Sequence, residues 1–206
     1  MKRWGMWVPV AVLCLGMGGA VRAAEEAAKS TLDNLKTAYG QEVNAKARYE
    51  AFAVKADQEG YKSVSALFRA AADSEGIHVR KLTAALKKMD VSAKATMEKP
   101  EVKSTKENLE AAVKAWTSGL ESLYPSFVRQ ADADKNSGAV MLFKSAMAAD
   151  VDQAKFFDEA LKNLEGWRDA GKIFGVCQVC GLTVMGPAPA NCPICSAPRD
   201  KFKMFK

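Results

Sequence analysis

Apolar residues return every three or four positions through four long stretches of this chain, the spacing of helices that each bury one face. From Glu25 to Asp57 the stripe reads Leu35, Glu42, Ala45, Tyr49, Phe52 and Ala56, and Glu59-Gly60 supplies a stop. A second helix, Lys62 to Lys88, carries Val64, Phe68, Ala71, Glu75, His78, Leu82, Ala85 and Met89 on its inner face. The segment Asp90 to Lys103, with Lys99-Pro100 inside it, is long enough to cross from one helical hairpin to another. Ser104-Thr105-Lys106-Glu107 is a capping box that opens a third helix. Leu109, Val113, Trp116, Leu120, Leu123 and Phe127 face inward there, with a kink expected at Pro125. After a turn-like stretch, Asp132 to Gly138, the fourth helix lines up Val140, Phe143, Met147, Asp150, Phe157, Leu161 and Leu164. The pattern predicts a mainly α protein with a four-helix bundle over residues 24–168.

The stripes are interrupted by groups that do not belong in an apolar core. Glu75 and His78, three residues apart, share one helix face, and His78 is the only histidine in the sequence. Glu42 and Asp150 are acids on two other inner faces. Burying any of them without a partner costs several kcal/mol, so they either satisfy one another by hydrogen bonds or surround a metal ion. A repeat bears on that choice: Tyr49, Phe52, Phe68, Glu75, His78 and Leu86 return 75 residues later as Tyr124, Phe127, Phe143, Asp150, Gln153 and Leu161. An internal duplication that sets an acid at the same helical depth in both halves favours an ancestral metal site.

Beyond the helices, Cys177-Gln178-Val179-Cys180-Gly181 and Cys192-Pro193-Ile194-Cys195 form two Cys-x-x-Cys knuckles. Such a pair places four thiolates around one ion, iron or zinc, and residues 171–206 hold too few apolar side chains to fold without it. Disulfides are the competing use of these cysteines in an exported chain.

Export is suggested by the start of the chain. Lys2 and Arg3, an apolar run from Trp4 to Gly19 and the small residues around Val21-Arg22-Ala23 read as a Sec-type signal peptide spanning residues 1–23. Pro9 and the glycines of the run argue against a membrane anchor, so the mature chain is expected to begin near Ala24, lose Cys14 and reside in the periplasm. Lys2, Arg3 and Arg22 contribute three of the net charge of +6, and what remains is too mild to argue for nucleic acid.

Taken together, Gly40-Gln41-Glu42, Arg48-Tyr49, Glu75-Gly76-Ile77-His78, Thr105-Lys106-Glu107-Asn108-Leu109, Tyr124-Pro125 and both knuckles resemble the rubrerythrin family. The resemblance covers Glu25 to Phe205 and implies a ferritin-like four-helix domain with a di-iron carboxylate site, followed by a rubredoxin-like domain at residues 171–206. It implies iron at Cys177, Cys180, Cys192 and Cys195, a homodimer, and peroxide reduction with electrons arriving through the cysteine-bound iron from an unidentified donor. Glu42, Glu75, His78 and Asp150 fall on family ligand positions, and Tyr49 and Tyr124 on family positions beside the metals. Other ligand positions are replaced: two third-helix glutamates by Trp116 and Gly119, and a fourth-helix histidine by Gln153.

The replacements fall mainly on one iron. The surviving four residues suffice for a single divalent metal, with Trp116 available to fill vacated volume; an empty site and an unusual two-metal site are the alternatives. Two functions follow. One is a redox enzyme of peroxide defence; the other is an electron carrier or metal-binding module whose bundle site is vestigial.

Overall fold

The computed structural model describes residues 30–117 and 121–206; the expected signal peptide with Cys14, together with Ala24, Gly119 and Leu120, lies outside the described residues. Helix α1 (Thr31–Gln58) begins where the Ser30 hydroxyl accepts the Asp33 amide at 3.2 Å. It stops at Glu59-Gly60, where Gly60 takes φ +80° and the Tyr61 amide closes back onto the Ala56 carbonyl at 2.8 Å. Helix α2 (Lys62–Lys87) packs along α1, and residues 91–104 then cross over without regular structure. Met89, expected on the inner stripe, lies past the end of α2 and is exposed.

The capping box at Ser104 and Glu107 is formed, and it opens α3 (Thr105–Ala115). The expected third helix is irregular before Pro125 rather than at it. The chain widens into a π turn at Trp116–Thr117, and α4 (Glu121–Ala133) holds Pro125 inside it. Pro125 sits in the second turn of α4, where it removes the amide that would otherwise donate to the Glu121 carbonyl. Helix α5 (Ser137–Lys162) and a single turn, α6 (Leu164–Trp167), complete the bundle.

The duplication explains the π turn. Ser30 and Ser104, Thr31 and Thr105, Asn34 and Asn108, Leu35 and Leu109, and Ala38 and Ala112 correspond at a spacing of 74, and all but the two caps are buried in both halves. From Tyr49 and Tyr124 onward the spacing is 75. One residue has been added between Ala112 and Tyr124, and a π turn is how a helix absorbs one extra residue.

Each half closes the other. The Thr105 amide donates to Glu59 at 2.7 Å, and the Thr31 amide donates to Asp134 at 3.0 Å, so the turn of each hairpin caps the first helix of its counterpart. The cores repeat as well: Phe68 meets Phe52 at 5.4 Å and Tyr49 at 6.0 Å, while Phe143 meets Phe127 at 5.3 Å and Tyr124 at 6.3 Å. Each buried ring contributes on the order of 2 kcal/mol.

The C-terminal module is a three-stranded antiparallel sheet of β1 (Phe174–Cys177), β2 (Thr183–Met185) and β3 (Phe202–Phe205), in the order β2-β1-β3. Phe174 and Val176 enter the bundle core, and Phe174 lies 6.1 Å from Trp167. Asp73 on α2 ties the module down by accepting from Gln178 and Lys203, each at 2.7 Å. Among the described residues no helix is long and apolar enough to cross a membrane.

Candidate metal centres

Three helices aim their polar interruptions at one point. Helix α1 supplies Glu42, α2 supplies Glu75 and His78 one turn apart, and α5 supplies Asp150, all buried. Nδ1 of His78 lies 3.1 Å from Glu75 Oε2, 3.6 Å from Glu42 Oε1 and 3.9 Å from Asp150 Oδ1. Tyr124 on α4 donates its hydroxyl to Glu42. Tyr49 packs its ring against Phe68 and Phe157 at the edge of the same space.

Without a cation, three carboxyls this close cannot all ionise. Burial and the neighbouring Glu42 push Glu75 up to about 8, and burial with Glu75 and Glu42 holds Asp150 well above the ordinary carboxylate range. Burial disfavours charge on His78 and on Glu42, yet each secures it in the other: His78 is raised well above its usual value and Glu42 is lowered. Asp150 Oδ1 is buried with no hydrogen-bond partner. Glu42, Glu75 and His78 bring their ligand atoms within 4.8 Å of one another, a donor set for a divalent metal, and Asp150 stands at the edge of that group, its orphaned Oδ1 3.9 Å from His78 Nδ1.

Two of the replaced positions, Trp116 and Gln153, border a cavity of about 450 Å³. Trp116 was expected to fill the vacated volume, but it is only half-buried and lines the space together with Ala112, Ala115, Ala154 and Phe157. Gln153 lines the same space, its amide nitrogen donating to Ser74 Oγ at 3.0 Å, and its Oε1 has no partner. Asn44 pins the crossover across the mouth, donating to the Thr96 carbonyl and accepting from the Glu98 amide, each at 3.0 Å.

The second centre lies against the first. The four cysteines are free; Sγ of Cys177 is 3.6 Å from that of Cys195, and Cys180 is 3.5 Å from Cys192. A tetrahedral ion with metal–sulfur bonds of about 2.3 Å requires sulfur separations near 3.8 Å, so the cradle fits an ion of that size. Burial raises the thiols of Cys177 and Cys180, and a cation is what would hold them as thiolates. The knuckles match: the amides of Gly181 and Ser196 donate to the carbonyls of Cys177 and Cys192 at 2.9 and 2.8 Å, with φ of +91° and +60°.

Gly181 also meets the bundle. Ser74 donates to its carbonyl at 2.6 Å, and a Cβ at position 181 would lie 2.4 Å from His78 Nε2. Sequence reasoning missed Ser74, Asp73 and Asn44, whose partners are tertiary; only the glycine after a Cys-x-x-Cys carried a readable signal.

The sequence profile described as rubrerythrin matches residues 33–161, and that described as the rubrerythrin rubredoxin-like domain matches residues 176–203. Nigerythrin of Nitratidesulfovibrio vulgaris strain Hildenborough is 33% identical over 186 residues, spanning 90% of this chain and 91% of its own. Rubrerythrin-2 of Clostridium acetobutylicum is 31% identical, spanning 85% and 96%. The solved structure of nigerythrin in a mixed-valence state superposes with a TM-score of 0.80 at 31% identity, covering 89% of this chain and 90% of that one. A bacterioferritin of Desulfovibrio desulfuricans, with a TM-score of 0.60 at 15% identity, shares the bundle fold.

Proposed function

Since this chain belongs to the rubrerythrin family, we propose that it is an exported redox protein of peroxide defence, with electrons entering at the four-cysteine centre and peroxide admitted to the cavity beside Glu42 and Asp150. It is a non-haem iron protein, and its C-terminal unit is a rubredoxin-type iron site. Iron held by four thiolates supplies a one-electron redox change, and a single metal at the bundle cluster would supply Lewis acidity to a bound peroxide.

The observation that carries the reading is the seating of Gly181 on His78, which sets the two candidate centres side by side within one chain. Around them the chain's own residues do the positioning. Tyr124 orients Glu42 through its hydroxyl, Ser74 fixes the knuckle by its hydrogen bond to Gly181, and Asn44 holds the crossover over the cavity. Glu42, Glu75, His78 and Asp150 are the proposed metal ligands. Residues 1–23 are proposed as a cleaved leader, the periplasm as the location and a homodimer as the assembly.

Metal counting on the anaerobically prepared protein, paired with peroxide consumption, tests this. Iron at the four-cysteine unit plus one metal at the bundle, a red oxidised form bleached by Cys180→Ser, and peroxide consumption lost in His78→Ala are expected. The replacement of ligand positions by Trp116 and Gln153 favours a second reading, an electron carrier with a vestigial bundle site. Peroxide reduction that survives His78→Ala would leave that reading standing.

A further inference from the structure

We propose that the groove between the C-terminal half of α2 and the N-terminal half of α5 is the docking surface for an acidic one-electron carrier protein. The groove has a volume of about 950 Å³ and ends against the second knuckle, at Ile194, Cys195 and Ser196. Cys177, Cys180 and Cys192 are buried, whereas Cys195 is partly exposed and faces this groove. Electron exchange weakens steeply with distance, so a carrier has to approach where a thiolate ligand reaches the surface.

The charge around that edge is of one sign. Lys81, Lys88 and Lys144 line the groove and no carboxylate does. Among the described residues none of the three makes an ion pair, whereas Lys203, on another flank of the module, is paired with Asp73. Between the lysines stand exposed apolar side chains: Met141 is 74% exposed, Met89 38% and Ile194 36%. An apolar centre with a rim of unpaired cations is the chemistry of a small, transient interface that recognises a carboxylate-rimmed partner by charge and releases it quickly.

This rests on the reading that electrons enter at the four-cysteine centre. The exchange at the docked edge is of one electron, leaving the carrier oxidised and the four-thiolate centre reduced, with no bond made or broken.

The test uses the full mature protein and, as probe, an acidic plant-type [2Fe–2S] ferredoxin, with binding measured by calorimetry on both proteins oxidised. Binding is expected at low ionic strength and should weaken at least about tenfold when salt is raised past the point where the screening length falls below about 10 Å. K81E/K88E/K144E should weaken it at least about tenfold, the glutamine triple should fall between, and K106E/K155E/K162E should leave it unchanged. Reduction of the red centre by reduced ferredoxin should slow by the same factor, while dithionite bleaches every variant completely.

Equal affinity in wild type and K81E/K88E/K144E, or affinity indifferent to salt, would overturn the proposal. So would a wild-type dimer that dissociates in the triple variant without any binding of ferredoxin, since the groove would then be an interface between copies. Binding lost in the triple variant, in a protein that consumes no peroxide even when reduced by dithionite, would keep the docking surface and remove the peroxide reading.

Discussion

Gly181 and His78 touch across the seam between the C-terminal module and the bundle, with room for a hydrogen and none for a methyl group: a Cβ at 181 would stand 2.4 Å from Nε2. The φ of +91° at Gly181 adds a second reason for glycine there. Gly181→Ala should therefore cost about 2 kcal/mol or more, from the clash and the left-handed backbone together. It should also loosen the module from α2. Limited proteolysis at the bundle–module linker checks this; cleavage no faster than in wild type would count against the contact.

The bundle cluster has one imidazole, so no neighbour can replace it. His78→Ala should take bundle metal from about one per chain to near none while the four-cysteine iron remains, since imidazole is a principal donor in so small a ligand set. Trp116→Glu combined with Gln153→His should add a second metal, because both positions border the open cavity. Elemental analysis of each variant decides both, and unchanged bundle metal in His78→Ala would exclude His78 as a ligand.

Metal-free protein should lose stability as pH rises. In the folded chain Glu75 keeps its proton up to about 8, whereas its ordinary value is 4.5. The folded state then binds more protons than the unfolded state, and the slope is negative between those values. Asp150 and His78, both raised, add to the same slope, while Glu42, lowered, acts only below its ordinary value. A bound dication displaces these protons, so bundle metal affinity should rise with pH. Melting of chelated protein between about pH 5 and pH 8 checks the first statement, and a flat or rising profile would contradict it.

Ser196 occupies the knuckle position that Gly181 fills in the other half, at φ +60°. Ser196→Gly should relieve about 1 kcal/mol of left-handed strain and slow the loss of colour when iron is extracted by a chelator. A faster loss would show that the serine side chain contributes more than its backbone costs.

Much of the bundle was legible because its signals are local. Ser104 and Glu107 lie three residues apart and form their cap without help from the rest of the chain. Glu75 and His78 declared themselves because a charged pair on an otherwise apolar stripe needs a partner. The π turn at Trp116 was not legible, since the inward-facing pattern from Leu109 to Phe127 reads through it. The added residue also hid half of the duplication: Tyr49 and Tyr124 align at one spacing, Leu35 and Leu109 at another. Contacts such as Ser74 with Gly181 join residues far apart in the chain, and nothing near either residue announces them.

The reciprocal caps say something about how such a chain arose. Glu59 closes the start of α3 and Asp134 closes the start of α1, so each hairpin adds to its own serine cap a carboxylate borrowed from the other. A lone ancestor of one hairpin would have presented Thr31 and Glu59 to a second copy of itself, each molecule finishing the other around a shared central site. Fusion of two genes would have turned that symmetric pair into one chain, and only then could the two sides diverge, one keeping its histidine at position 78 while the other settled on glutamine at 153.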